Sequence, residues 1–163
     1  MKKFVSLLLC CGIIASSLVL AACGGENGGE SAANTFEVTL SVQCEILLDN
    51  MHLLDRDLHE LVPSDGVIFP ETVVTVREGE SVFDVLQREM RNAGIHMSFE
   101  RMPAFDAVFV VAVNNLPPIA SEPMSGWQFL VNGESFDVGA SAYILQPNDT
   151  VEWLFALDLS LYW

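Results

Sequence analysis

Residues 78–94 read EGESVFDVLQREMRNAG and carry the signals of a helix that packs against a core. Ser81 can cap the N-terminus, and Asp84 three positions later completes a variant of the capping box. Gly94 stands where a left-handed residue commonly ends a helix. The stretch therefore predicts an amphipathic helix over residues 82–93. Its apolar stripe consists of Val82, Val85, Leu86, Met90 and Ala93.

Candidate strands lie on both sides of this helix. Residues 36–42 alternate apolar and polar side chains, which is typical of a half-buried strand. Trp127, Phe129 and Val131 alternate in the same way and lead into Asn132-Gly133, a signal for a type I′ turn. The further strand candidates are residues 67–69, 72–77, 107–113, 142–145 and 150–156.

A second helix is predicted upstream, because apolar residues from Leu47 to Leu61 recur at helical spacing. Pro63 and Asp65-Gly66 would end it in a turn. Two early helices with strands before and after them predict a single α+β domain with a mixed sheet, over residues 35–163.

Residues 1–22 have the order of parts of an export signal: Lys2 and Lys3, then an uncharged apolar run. The segment ends in Leu-Ala-Ala followed by Cys23, which resembles the bacterial lipobox, where the thiol receives a diacylglyceryl group. The alternative is an uncleaved membrane helix, since about 20 apolar residues span a bilayer. We expect lipidation at Cys23, a Gly-rich tether over residues 23–34, and an extracytoplasmic domain anchored to the bacterial cell membrane by its lipid.

The chain is strongly acidic, with 7 basic and 22 acidic residues and a formal charge of −15. Removal of the signal would leave five arginines against the same 22 acids, a side-chain charge of −17. Such a domain repels phosphate backbones, so nucleic acid is excluded as a partner that charge would attract. It also repels anionic lipid headgroups, so the acyl chains alone would hold it on the membrane.

Cysteine usage and short motifs argue against catalysis. Cys44 would be the last thiol in the mature domain, which allows no intrachain disulfide, and its strand parity predicts a buried, inert side chain. A solvent-facing polar helix surface explains His52, Asp55 and His59 better than a metal site does. No G-x-S-x-G, H-E-x-x-H or C-x-x-C motif is present. We therefore expect neither an enzyme nor a bound metal or cofactor.

Two motifs carry a family resemblance. Residues 125–133, SGWQFLVNG, are similar to the GW-x-(Y/F)-x-VNG signature of the transcobalamin-like C-terminal domain family. Residues 146–153, QPNDTVEW, resemble its closing GD-x-V-x-W strand, with Asn148 in place of the usual Gly. The resemblance implies a β-grasp-like fold of the kind found in bacterial surface lipoproteins of unassigned function. Eukaryotic relatives use the domain as one half of a cobalamin clamp, which implies a corrinoid or another small ligand.

The predicted ligand site combines a stiff loop with the turn. Pro117 and Pro118 stiffen the loop before Trp127, and such loops often carry recognition. Trp127 and Phe129 would offer aromatic surface, while Asn132 and the amide of Gly133 would offer polar contacts. Two alternatives stay open: Trp127 packs in the core, and the domain is a surface interaction module that binds a protein or glycan partner without a small ligand.

Overall fold

The computed structural model describes residues 34–103 and 107–162 of the chain. The predicted signal peptide of residues 1–22, the predicted lipidation site Cys23 and the tether up to residue 33 lie outside the described residues. Within the described ranges, none of the helices is both long enough and apolar enough to cross a membrane.

Six strands and one α-helix form the main regular structure of the described residues: β1 (Thr35–Gln43), β2 (Val67–Arg77), α1 (Val82–Ala93), β3 (Met97–Met102), β4 (Ala107–Val113), β5 (Gly126–Val131) and β6 (Thr150–Ala156). A four-stranded sheet has the order β2-β1-β6-β5, and β3 pairs with β4 separately. The inner strands β1 and β6 are parallel, and the edge strands pair antiparallel with them. The predicted α+β class with a mixed, β-grasp-like sheet is confirmed.

Strand register gathers the large side chains on one face of this sheet. Trp153 of β6 lies beside Val42 of β1 and beside Phe129 of β5. Because successive side chains of a strand point to opposite faces, these three share a face. All three are buried in the hydrophobic core. This face also becomes the floor of the candidate site.

The helix α1 forms as its sequence predicts. The Ser81 hydroxyl accepts a hydrogen bond from the Asp84 amide at 3.2 Å, and the Asp84 carboxylate accepts one from the Ser81 amide at 3.0 Å. Gly94 ends the helix with φ of 72°. Leu86 is fully buried in the cluster that also contains the sheet residues, whereas Ala93 at the end of the predicted stripe is exposed.

The predicted helix over residues 47–61 forms as three 3-10 helices, Glu45–Leu47, Met51–Leu53 and Arg56–Leu61, rather than as one continuous helix. In an α-helix, the Ile46 carbonyl would accept a hydrogen bond from the Asn50 backbone amide. Here the Asn50 side chain donates to that carbonyl instead, at 2.8 Å. That amide instead donates to Leu47 at 2.9 Å. Leu54 is extended, with ψ of 147°, and separates the second and third turns.

Two other predictions differ from the structure, and one strand was not predicted. Residues 67–69 and 72–77 belong to one strand, β2, which tolerates Pro70 because an edge strand has a free side. Residues 142–145 contribute only a bridge between Ile144 and Ser81, not a strand. The sequence did not predict β3.

The turn at Asn132-Gly133 is left-handed at both positions, with φ of 55° and 79°, as type I′ requires.

Cys44 is completely buried, as predicted. Burial, followed by the carboxylates of Asp65 and Glu45, raises the pKa of its thiol from 9.0 to about 11. The thiol is therefore neutral at physiological pH, and its surroundings make it inert toward nucleophilic chemistry.

Candidate functional site

A cleft of about 460 Å³ opens between β4 and β5, at the edge of the main sheet. Its walls are Ala107–Val110 of β4, Trp127–Phe129 of β5 and the segment around Gly139, and Trp153 of β6 also belongs to the lining. The volume falls in the range of small-molecule sites in proteins, about 300–1,000 Å³. The cleft is therefore large enough to hold a small ligand or part of a larger one.

The floor of the cleft is aromatic and fixed. Trp127, Phe129 and Trp153 are 2–4% exposed. The Phe129 and Trp153 rings lie 5.6 Å apart between centroids, and the Trp127 ring meets Phe155 edge-on at 5.4 Å. Such aromatic pairs stabilise the packing by more than their buried apolar area alone contributes. The floor is therefore closely packed, and its rings expose little surface of their own to the cleft.

The rim of the cleft is apolar and exposed. Met102, Phe109 and Val138 all line the cleft and are 42%, 40% and 46% exposed. Isolated exposed apolar residues are ordinary, but several on one rim are typical of binding sites. Asp137 is the acidic residue of the lining.

The segment of residues 137–142 forms one wall because it packs closely on β4. A side-chain carbon placed on Gly139 would lie only 2.6 Å from the Cβ of Ala107, so glycine permits this close approach. The Val108 amide donates to the Ser141 hydroxyl at 3.0 Å, and the Phe83 amide donates to the Ala140 carbonyl at 3.0 Å. These bonds hold the wall between β4 and the start of α1.

The two indoles of the floor differ in their hydrogen bonds. Trp127 Nε1 donates to the Leu116 carbonyl at 2.9 Å. Trp153 Nε1 is buried and has no acceptor among the described protein atoms. A buried donor without a partner is uncommon in folded proteins and calls for an explanation.

Of the six residues predicted to bind a ligand, the cleft brings together Trp127 and Phe129. Trp127 is buried, so its predicted place in the core is confirmed, and it offers no open stacking platform. Pro117 and Pro118 are half-buried and lie outside the lining. Their loop is held by the Ile119 amide, which donates to Ser125 Oγ at 2.7 Å.

Asn132 and Gly133 also lie outside the cleft lining, in the exposed turn after β5. The Asn132 side chain donates to Asp149 Oδ1 at 2.9 Å and accepts from the Thr150 amide at 2.9 Å. Its polar atoms therefore join the turn to the start of β6. Ligand contacts by these two residues stay a prediction.

The sequence reasoning missed Trp153 and the three rim residues as members of the site. The alternation of β6 and its pairing with β5 could have pointed to Trp153, since both strands were predicted. The rim has no such signal, because Met102 and Val138 come together only through the tertiary fold. Across residues 34–103 and 107–162, no group of three or more His, Cys, Asp or Glu side chains is placed to hold a metal ion.

Residues 79–156 match the family described as Domain of unknown function (DUF4430). No curated protein matches the chain. A crystal structure of haptocorrin in complex with Cbi is similar in fold, with a TM-score of 0.54 and 17% identity, over 83% of this chain and 28% of the haptocorrin chain.

A second similar structure comes from Ruminococcus gnavus ATCC 29149, a protein provisionally described as metal binding. It has a TM-score of 0.46 and 16% identity, over 74% of this chain and 96% of its own. The likeness to haptocorrin supports the transcobalamin-like fold that the motifs predict. The present chain spans about a quarter of that protein, so the likeness concerns the fold of one part of it.

Proposed function

We propose that the protein is an extracytoplasmic binding domain whose cleft between β4 and β5 takes up a small, flat, partly apolar molecule. The observation that carries the proposal is the exposed apolar rim of Met102, Phe109 and Val138 around a cleft whose aromatic floor is packed in the core. Ligand sites combine an apolar wall with a few polar groups in this way. No catalytic step is proposed for the thiol of Cys44, which is buried and neutral as its place in the strand predicts.

A corrinoid is the first candidate ligand. The haptocorrin structure of similar fold contains Cbi, which is cobinamide. A corrinoid is larger than a cleft of about 460 Å³, so the cleft would hold one edge of the ring system. The exposed side chains of Met102, Phe109 and Val138 would then contact the part that projects from the cleft.

Calorimetric titration with cobinamide and cobalamin tests the proposal, with a thermal shift as a second measurement. A ligand that binds only the native state raises the melting temperature. Met102→Glu places a charge on the rim and should weaken binding at least tenfold. Met124→Glu is the matched control, since Met124 is 48% exposed and lies outside the cleft. Absence of heat and of any thermal shift at millimolar ligand, with an intact fold, would refute corrinoid binding.

The proposed location rests on the lipobox-like sequence before Cys23. Mass spectrometry of the membrane fraction should find an acylated N-terminal peptide that begins at Cys23. The Cys23→Ala protein should lose both the acylation and the cleavage. Identical processing of that variant would overturn the anchor, while leaving the cleft to be judged by the titrations.

The second candidate function is a surface interaction module, and a different groove favours it. Ile46 and Leu161, 43% and 80% exposed, line a groove of about 370 Å³ with Leu154. Leu154 points to the face opposite Trp153, because the two are neighbours on β6. If this function is correct, Leu161→Asp abolishes capture of a surface protein or glycan, while Met102→Glu leaves it unchanged.

A further inference from the structure

The polar side chains of the cleft differ in what they can offer a ligand. The side-chain donors of the lining are engaged or covered: Trp127 Nε1 donates to a backbone carbonyl at 2.9 Å, and Gln128 Nε2 donates to the Phe129 carbonyl at 3.2 Å. Trp153 Nε1 is buried. Asp137, by contrast, is exposed, and the described lining includes no lysine or arginine. The exposed polar side chain of this lining is therefore a negatively charged acceptor.

We propose that Asp137 makes the cleft selective for organic cations, so that the ligand is a flat apolar molecule that carries an ammonium group. This inference rests on the proposed function of the cleft. The apolar part would cover Met102 and Val138, which are 42% and 46% exposed. The ammonium group would donate a charge-assisted hydrogen bond to the carboxylate, which is stronger than a bond between neutral groups.

Phe109 gives a second reason for a positive charge on the ligand. Its side chain lines the same cleft as Asp137 and is 40% exposed. The face of an aromatic ring attracts a cation that lies within about 6 Å of the ring centroid. The ring and the carboxylate therefore favour the same charge, whereas Met102 and Val138 favour apolar surface of any kind.

The charges around the cleft leave Asp137 available to a cation. Among the described residues, both ion pairs are made by Arg88, with Glu80 and Glu89, so Asp137 has no basic partner there. Arg101 lines an adjoining groove of about 410 Å³ instead of the cleft. The chain as a whole has a formal charge of −15, which attracts cations to its surface and repels anions.

The test compares two probes of the same shape: 2-naphthylmethylamine, which is a cation at neutral pH, and 2-naphthylmethanol, which is uncharged. Calorimetric titrations use the purified protein. The amine should bind about fivefold more tightly, since an exposed ion pair and a cation on an aromatic face each contribute modestly. Added salt should narrow this difference, because it screens exposed charges.

Two variants separate the carboxylate of the cleft from the charge of the whole chain. Asp137→Asn removes the charge and keeps the size of the side chain, so the preference for the amine should fall below about twofold. The affinity for the alcohol should stay unchanged. Glu71→Gln is the matched control, since Glu71 is exposed and lies on β2, at the opposite edge of the sheet from β5. It changes the net charge equally and should keep the fivefold preference.

The outcomes distinguish the inference from the proposed function. Equal affinity of the unaltered protein for both probes would overturn the inference and leave the cleft as a binding site. The same holds for a preference that survives Asp137→Asn, or that falls equally in Glu71→Gln. Failure of both probes to bind would overturn the proposed function as well.

Discussion

The helix α1 and the cleft contain the same kinds of apolar side chain, but those of α1 are buried and those on the cleft rim are exposed. In α1, Val82, Leu86 and Met90 are fully buried, and the capping box and Gly94 fix both helix ends. At the cleft, Met102 and Phe109 stay 42% and 40% exposed above a buried aromatic floor. The first region removes its apolar side chains from water, while the second exposes apolar surface that the fold leaves uncovered.

The difference separates stability from binding. Apolar area that is already removed from water contributes to the free energy of unfolding. Exposed apolar area contributes little to it but becomes favourable when a ligand covers it. Substitutions of buried residues in α1 should therefore lower the free energy of unfolding. Substitutions on the cleft rim should lower ligand affinity with little effect on the free energy of unfolding.

The largest effect is expected from Leu86→Ala. Leu86 is 0% exposed, and its removal leaves a cavity beneath α1, so the free energy of unfolding should fall by about 2–5 kcal/mol. Urea denaturation monitored by tryptophan fluorescence measures this cost. A cost below about 1 kcal/mol would contradict the role assigned to the helix in the core.

The buried thiol of Cys44 should make stability depend on alkaline pH. Its pKa is raised to about 11 in the folded state from 9.0, so folding favours the neutral thiol. The stabilisation is complete below pH 9 and is lost as pH rises from 9 to 11, by up to about 3 kcal/mol.

The Cys44→Ala variant provides the comparison for this pH dependence. Tyr143, whose pKa is also raised, chiefly by burial, is present in both proteins, so the difference between their pH profiles isolates Cys44. The variant should lose less stability than the unaltered protein between pH 9 and 11. Parallel profiles, or rapid reaction of Cys44 with a thiol reagent at pH 8, would contradict the account.

An intermediate effect is expected from Gly139→Ala, which acts on the cleft wall. The added carbon would lie 2.6 Å from the Cβ of Ala107, so the segment 137–142 must move. Stability should fall by about 1–3 kcal/mol, and affinity for cobinamide should fall with it. The double variant Ala107→Gly with Gly139→Ala removes the clash and should recover most of both losses. No recovery would mean that the close contact does not hold the wall.

Local sequence patterns predicted the fold well where one element decides its own structure. The helix α1 has its cap, stripe and stop signal within residues 81–94, and β4 and β6 occupy the predicted ranges. The prediction failed at residues 47–61, where the Asn50 side chain competes for the Ile46 carbonyl. The spacing of apolar residues contains no information about that competition.

The site was predicted only in part, because its halves meet through tertiary structure. Trp127 and Phe129 were found from strand alternation within β5. The opposing wall depends on the approach of Gly139 to Ala107, residues far apart in the chain. Likewise, no sequence pattern shows that Trp127 finds an acceptor at Leu116 whereas Trp153 finds none.

The most direct test measures stability and cobinamide affinity together in Val138→Asp and Val73→Asp. Both valines are exposed, 46% and 62%, but only Val138 lines the cleft. Each variant should stay within about 0.5 kcal/mol of the unaltered protein in urea, as expected for surface positions. Calorimetry should show affinity reduced at least tenfold in Val138→Asp and unchanged in Val73→Asp. Equal affinities in the two variants would contradict the claim that the cleft is the binding site.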